Sequence, residues 1–177
     1  MEKHRDGQEP PKSSQKTITM AMIDELSKGQ DLNAIDALNF TLLAKRSYKF
    51  TSITNLECVP NLTELNLSYN SISNLQNLSG LKCLKTLNIA ENLISDLKPI
   101  FFNTSLTILN INGNLIEFIP EEIGNLEFLE TLKISRNRLG SEDSISNLIY
   151  TPRLTHLTLV GNPLTKIENY RDVVTKF

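Results

Sequence analysis

Tryptophan is absent from this chain of 177 residues, and aromatic residues make up only 6% of it. Two cysteines, Cys58 and Cys83, and two histidines, His4 and His156, are all it has of the softer metal ligands. Without C-x-x-C spacing they do not compose a zinc set, so neither metal nor cofactor is expected. No apolar run approaches the ~18 residues that cross a bilayer. The opening MEKHRDGQEPPKSSQK lacks the apolar stretch of a secretory signal. So few cysteines fit a reducing compartment, and the expected location is cytoplasmic rather than secreted. Neither sign of charge dominates: 18 Lys and Arg face 20 Asp and Glu, a net charge of −2. That balance removes the electrostatic case for direct binding to nucleic acid or to an anionic membrane. No glycine-rich phosphate loop follows a strand pattern. A hydrolytic Ser-His-Asp set would need a pocket in which to converge. The chain is not expected to be an enzyme.

What is present is repetition. Leu65-Asn66-Leu67-Ser68-Tyr69-Asn70-Ser71-Ile72 reads L-x-L-x-x-N-x-I, and the pattern returns around Asn92, Asn114, Asn137 and Asn162. The asparagine spacings are 92−70 = 22, 114−92 = 22, 137−114 = 23 and 162−137 = 25. A fixed period of this size is the signature of a solenoid. The alternating leucines predict a short strand in each repeat, with leucines on one side and the x residues on the other. Turns and short helical pieces carry the chain back to the next strand. Each asparagine sits where the strand turns inward, and a buried amide there can pair with backbone groups that the turn leaves unpaired. Asn70, Asn92, Asn114, Asn137 and Asn162 therefore read as a structural ladder. The sequons Asn66-Leu-Ser and Asn103-Thr-Ser fall out of the same consensus.

Residues 1–16 have almost nothing to bury and read as a disordered polar tail. Residues 17–177 form the repeat domain. Thr17 or Thr19 caps a helix near 20–28, with Met22, Ile23 and Leu26 on its apolar face and Gly29 stopping it, inside a cap covering 17–34. Repeats occupy 35–164. Ile35, Leu38 and Phe40 begin a degenerate first one, without its ladder asparagine and with an insertion at Leu42–Lys49 that carries the basic Lys45, Arg46 and Lys49. Pro120 suits the start of a short helical turn, and Gly140–Ser144 is a surface loop. A C-terminal cap starts over 165–177, with helical spacing at Tyr170, Val173, Val174 and Phe177.

These motifs identify the chain as a member of the leucine-rich repeats. The 22-residue period, with isoleucine two after the asparagine, and the ending G-N-P-L…Y-R-D-V-V resemble the intracellular subclass. That subclass is typified by the regulatory subunit of protein phosphatase 1 and the light chain of axonemal dynein, and includes the A-prime protein of a spliceosomal particle. Ile18-Thr19…Ile23…Leu26, the gapped Ile35…Phe50-Thr-Ser-Ile53 and Leu65–Asn70 are most similar to the N-terminal repeats of centriolin-like centrosomal and ciliary proteins. The resemblance implies an α/β solenoid: a curved, right-handed horseshoe with about six short parallel strands on its concave face and a cap at each end. It also implies a non-catalytic scaffold that binds a protein partner, a cytoskeletal or axonemal component, in a cilium, flagellum or centrosome. The alternatives are a phosphatase-targeting subunit, which the lack of tryptophan weakens, and a ribonucleoprotein scaffold.

The x positions line up in columns on the concave face. The candidate protein-binding residues are Glu64, Asn66, Tyr69, Asn88, Glu91, Ile108, Asn110, Lys133, Arg136 and His156. Their charges sort along the solenoid, with Glu64 and Glu91 toward one end and Lys133, Arg136 and His156 toward the other. Tyr69 and Arg136 are residue types that anchor interfaces. Phe101, Phe102 and Phe118 offer a rival surface on the convex side or flank, with at least one of them expected in the core. Cys83, beside Leu84, reads as semi-buried.

Overall fold

A computed structural model of the chain describes residues 16–41 and 49–175. The tail reading over 1–16, apart from Lys16, most of the insertion and Phe177 therefore lie outside the described residues. The chain opens with helix α1, Met20–Ser27, whose N-cap Thr19 accepts a hydrogen bond from the Met22 amide through its side chain. Lys28, in the left-handed region at φ 56°, closes it, and Gly29 follows at φ 75°. Ile23 is buried, and Met22 and Leu26 pack against the core.

Six three-residue strands follow: β1 Ala37–Asn39, β2 Glu64–Asn66, β3 Thr86–Asn88, β4 Ile108–Asn110, β5 Thr131–Lys133 and β6 His156–Thr158. They pair in parallel and in sequence order to make one open sheet. The register puts Leu38, Leu65, Leu87, Leu109, Leu132 and Leu157 in one inward row. Short 3-10 turns make each return: Leu56–Cys58, Gln76–Leu78, Lys98–Phe102, Glu121–Asn125 and Ser146–Tyr150. Pro120 is the N-cap of the fourth. The chain closes with the 3-10 turn Pro163–Lys166 and helix α2, Tyr170–Val174.

One leucine- and isoleucine-rich core runs the length of the solenoid, from Ile18 to Leu164. Each such side chain, fully buried, contributes about 1.5–3 kcal/mol. A single repeat does not bury its own set, since one continuous cluster joins the leucines of all the repeats. The degenerate first repeat is held in the same way, with Phe40 and Phe50 meeting edge to face at 5.7 Å between centroids. Burial weakens at the far end, where Leu154, Leu157 and the cap residues Tyr170, Val173 and Val174 pack against the core only partly buried.

Five asparagines stitch the repeats together. Asn114 is typical: its Nδ2 donates to the carbonyls of Ile89 (3.0 Å) and Ile111 (3.1 Å), and its Oδ1 accepts from the Ile94 amide at 3.0 Å. Ile89 and Ile94 belong to the preceding repeat, so one side chain satisfies its own turn and its neighbour's. Asn92 and Asn137 repeat the arrangement, and all five ladder asparagines are buried. A second set, on the side of the 3-10 turns, is not apparent from the period. Asn103 is fully buried and donates to the carbonyls of Leu78 (2.8 Å) and Leu81 (2.9 Å). Asn147 donates to Ile119 O at 2.9 Å, and Asn77 to Ile53 O. The Asn103 sequon is thereby closed to modification in the folded domain.

Replacing Asn114 with alanine leaves several buried backbone groups unpaired, at about 1–3 kcal/mol for each unsatisfied group. Thermal unfolding of Asn114→Ala should fall by roughly 5–10 °C. Asn125→Ala, at an exposed position, should shift it little; an equal shift in both variants would refute the ladder's role.

Candidate functional site

Opposite the core, the sheet presents two columns of strand side chains. One holds Ala37, Glu64, Thr86, Ile108, Thr131 and His156; the other holds Asn39, Asn66, Asn88, Asn110, Lys133 and Thr158. Glu64, Ile108, Lys133 and His156 are exposed, and the three central asparagines are half-buried. Their carbonyl oxygens are occupied: Asn66 Oδ1 accepts from the Ser68 amide at 3.0 Å, Asn88 Oδ1 from Ala90 and Asn110 Oδ1 from Asn112, both at 3.2 Å. Each closes the turn that leaves its strand. The amide nitrogens of these three point the other way, with no hydrogen bond among the described residues.

The strands end after three residues, which corrects the wider face expected from the alternation. Ser68 and Ala90 are buried as the chain turns inward. Tyr69, Glu91 and Arg136 stand not on strands but in the following turns, at φ 63°, 55° and 53°. Tyr69 projects there, 57% exposed.

One ion pair reduces the set of charges that sort along the solenoid. Glu91 reaches across one whole repeat to form an ion pair with Arg136, so these two charges cancel. The carboxylate passes directly over Gly113, where an added Cβ would lie 2.5 Å from Glu91 Oε1. Gly113 itself is at φ 64°, a left-handed conformation that disfavours a side chain. The result is a bar over the turns, parallel to the sheet. Glu64 toward one end and Lys133 and His156 toward the other remain without an ion pair among the described residues. The His156 ring nitrogen Nδ1 lies 2.9 Å from Thr155 Oγ1.

A cleft of about 500 Å3 opens at the N-terminal end of this face. Leu26 of α1 forms its wall, and Asn39, Glu64, Asn66, Thr86 and Asn88 line it from β1, β2 and β3. The contribution of Leu26 depends on how α1 packs beside β1, which no local pattern reveals. Ile108, Lys133, Arg136 and His156 lie outside this cleft, farther along the sheet.

The aromatic alternatives separate. Phe101 is buried, whereas Phe102 and Phe118 are exposed. Lys82 sits over the Phe102 ring at 5.7 Å, and Arg153 over Phe128 at 4.7 Å. Among the described residues no group of His, Cys, Asp and Glu could hold a metal ion, and no helix is long and apolar enough to cross a membrane. Both cysteines are free. Cys83 is exposed, contrary to the semi-buried position expected from its neighbour Leu84, because it lies just before the strand on the rim. Cys58 is half-buried, its Sγ 2.7 Å from Asn55 O, and burial, followed by the nearby Glu57 and Asp24 charges, pushes its thiol above the usual range against the lowering effect of its backbone hydrogen bond.

A family model described as Leucine Rich repeats (2 copies) matches residues 60–101, and one described as Leucine rich repeat matches residues 82–139. No curated protein matches the chain. Several solved structures do. An internalin (inlF) from Listeria monocytogenes is 30% identical with TM-score 0.61, covering 71% of this chain and 41% of its own. A leucine-rich repeat protein of Leptospira interrogans is 25% identical with TM-score 0.64, over 73% of this chain and 32% of that one. The leucine-rich repeat ectodomain of the plant membrane receptor kinase GASSHO1/SCHENGEN3 from Arabidopsis thaliana, in complex with CASPARIAN STRIP INTEGRITY FACTOR 2, is 27% identical with TM-score 0.59, over 72% and 16% respectively. The chain thus spans less than half the length of each of these structures.

Two outcomes test the geometry. Gly113→Ala should cost about 1–2 kcal/mol through its backbone conformation, and the displaced Glu91 should lose Arg136. Glu91→Ala in that background should restore none of the backbone cost, whereas Glu91→Ala alone should change stability by under ~1 kcal/mol, as an exposed pair. A Gly113→Ala variant as stable as the parent protein would contradict the account. Alkylation with iodoacetamide at pH 8, followed by mass spectrometry, should modify Cys83 faster than Cys58, because Cys83 is exposed and the half-buried Cys58 thiol, held above its usual range, offers less thiolate. Equal rates would contradict the burial of Cys58.

Proposed function

From the premise that the chain is a leucine-rich repeat protein, we propose that it is a non-catalytic adaptor that holds a protein partner on its sheet face. Leucine-rich repeat domains generally mediate protein–protein interaction, and are typically not catalytic. One observation carries the choice of face: the sheet side is flat, lined by short polar side chains that admit close approach, and bordered by the protruding Tyr69, with Ile108 exposed at its centre. Tyrosine is a residue type that anchors interfaces, and a surface of small neighbours leaves it accessible. The finer setting, a cytoskeletal, centrosomal or ciliary assembly in the cytoplasm, is supported by the resemblance of the gapped first repeat and opening helix to centriolin-like proteins. Two free thiols are consistent with a reducing compartment.

The test is a crosslinking pull-down from native cells with three forms of the folded domain: the parent, Tyr69→Asn/Ile108→Glu on the sheet face, and Phe118→Ser on the flank. Asparagine tolerates the left-handed backbone at position 69, so the fold is preserved. The expected result is a specific protein lost from the sheet-face variant and kept by the flank variant. The opposite pattern would move the site to the flank. A cytoskeletal or centrosomal identity would support the setting; a phosphatase or a spliceosomal protein in its place would overturn it.

A further inference from the structure

Resting on the sheet-face reading above, we propose that the occupant of this face is an extended peptide segment that crosses the strands, with a basic residue over Glu64 and an acidic residue over Lys133. Once Glu91 and Arg136 have cancelled each other, the face keeps two exposed, oppositely charged side chains on its strands without an ion pair among the described residues. Among the described residues lining the N-terminal cleft, Glu64 is the one charged group, and the cleft has an apolar wall in Leu26 along which the stem of a lysine or arginine can lie. Lys133 stands on β5, three strands away from β2 in the sheet order.

The separation sets the spacing. Three strand intervals at ~4.8 Å, and the two-residue offset along the strand at ~3.3 Å per residue, place the two charges roughly 16 Å apart. An extended chain advancing ~3.3 Å per residue covers that in about five residues. Between the charges lie Thr86, Asn88 and Asn110, none bulky enough to obstruct a backbone, and Ile108, 39% exposed, offers a seat for one apolar side chain. The amide nitrogens of Asn66, Asn88 and Asn110, without a hydrogen bond among the described residues, are donors suited to backbone carbonyls of an extended segment. Tyr69 and the Glu91–Arg136 bar border the path on the side of the turns. Charge complementarity of this kind governs register and orientation more than affinity.

The experiment is selection of a displayed library of random twelve-residue peptides on the folded parent domain and on the charge-reversed Glu64→Lys/Lys133→Glu domain. Both substitutions are at exposed positions, and circular dichroism confirms the fold. The parent should enrich a basic and an acidic residue about five positions apart in one fixed order, and the reversed domain should enrich the opposite order. Glu64→Gln alone should weaken a parent-selected peptide roughly twofold to fivefold, an effect that shrinks in high salt. Peptides lacking the charge pair, shared by both domains yet lost on Tyr69→Asn/Ile108→Glu, would overturn this inference while leaving the sheet-face adaptor standing. No enrichment on either domain would overturn the extended-peptide occupant, and the pull-down decides separately whether a folded partner uses the face.

Discussion

The structure depends on the side-chain amide of an asparagine in a place no other residue fills as well. At each turn out of a strand the backbone leaves carbonyls facing inward, and the preceding repeat leaves an amide facing the same spot. An asparagine supplies donors and an acceptor together, in one short planar group. Asn92, Asn114 and Asn137 each join their own turn to two backbone groups of the repeat before. Aspartate at such a buried position would lack the donors, and leucine would lack both functions. Because the amide reaches back one repeat, it also holds the strands in register. That register makes one continuous inward row of leucines and two outward columns.

A solenoid built this way separates its faces by role. The inward row and the ladder are committed to holding the fold, and the returns are short because 3-10 turns suffice to cross between strands. What remains free is the outward face of the sheet. Its side chains are short near the middle, where Asn66, Asn88 and Asn110 spend their oxygens on closing turns. The residues that exceed this baseline are few: Glu64, Tyr69, Ile108, Lys133 and His156.

The Glu91–Arg136 pair shows how the same geometry removes candidates. Both side chains leave turns with left-handed backbones, and the Glu91 carboxylate that pairs with Arg136 lies over Gly113. An added Cβ at Gly113 would meet the Glu91 carboxylate where it now lies. Two charges that would each invite a partner are thus turned into a neutral border for the face between them.

The sequence by itself determined the repeat, the strands, the ladder positions and the leucines of the core, because each follows from a local period repeated in phase. It also determined the residue types on the outward columns, since alternation dictates the side on which a strand residue stands. Only the tertiary structure decided where the strands stop, and so that Ser68 and Ala90 turn inward while Cys83 stays on the rim. It alone decided that Glu91 finds Arg136, 45 residues away, and that α1 stands beside β1 to wall a cleft around Glu64. It alone engaged Asn103 with the previous turn. These are relations between repeats: a period states what each repeat contains, whereas contacts between non-equivalent residues of different repeats depend on how the repeats stack.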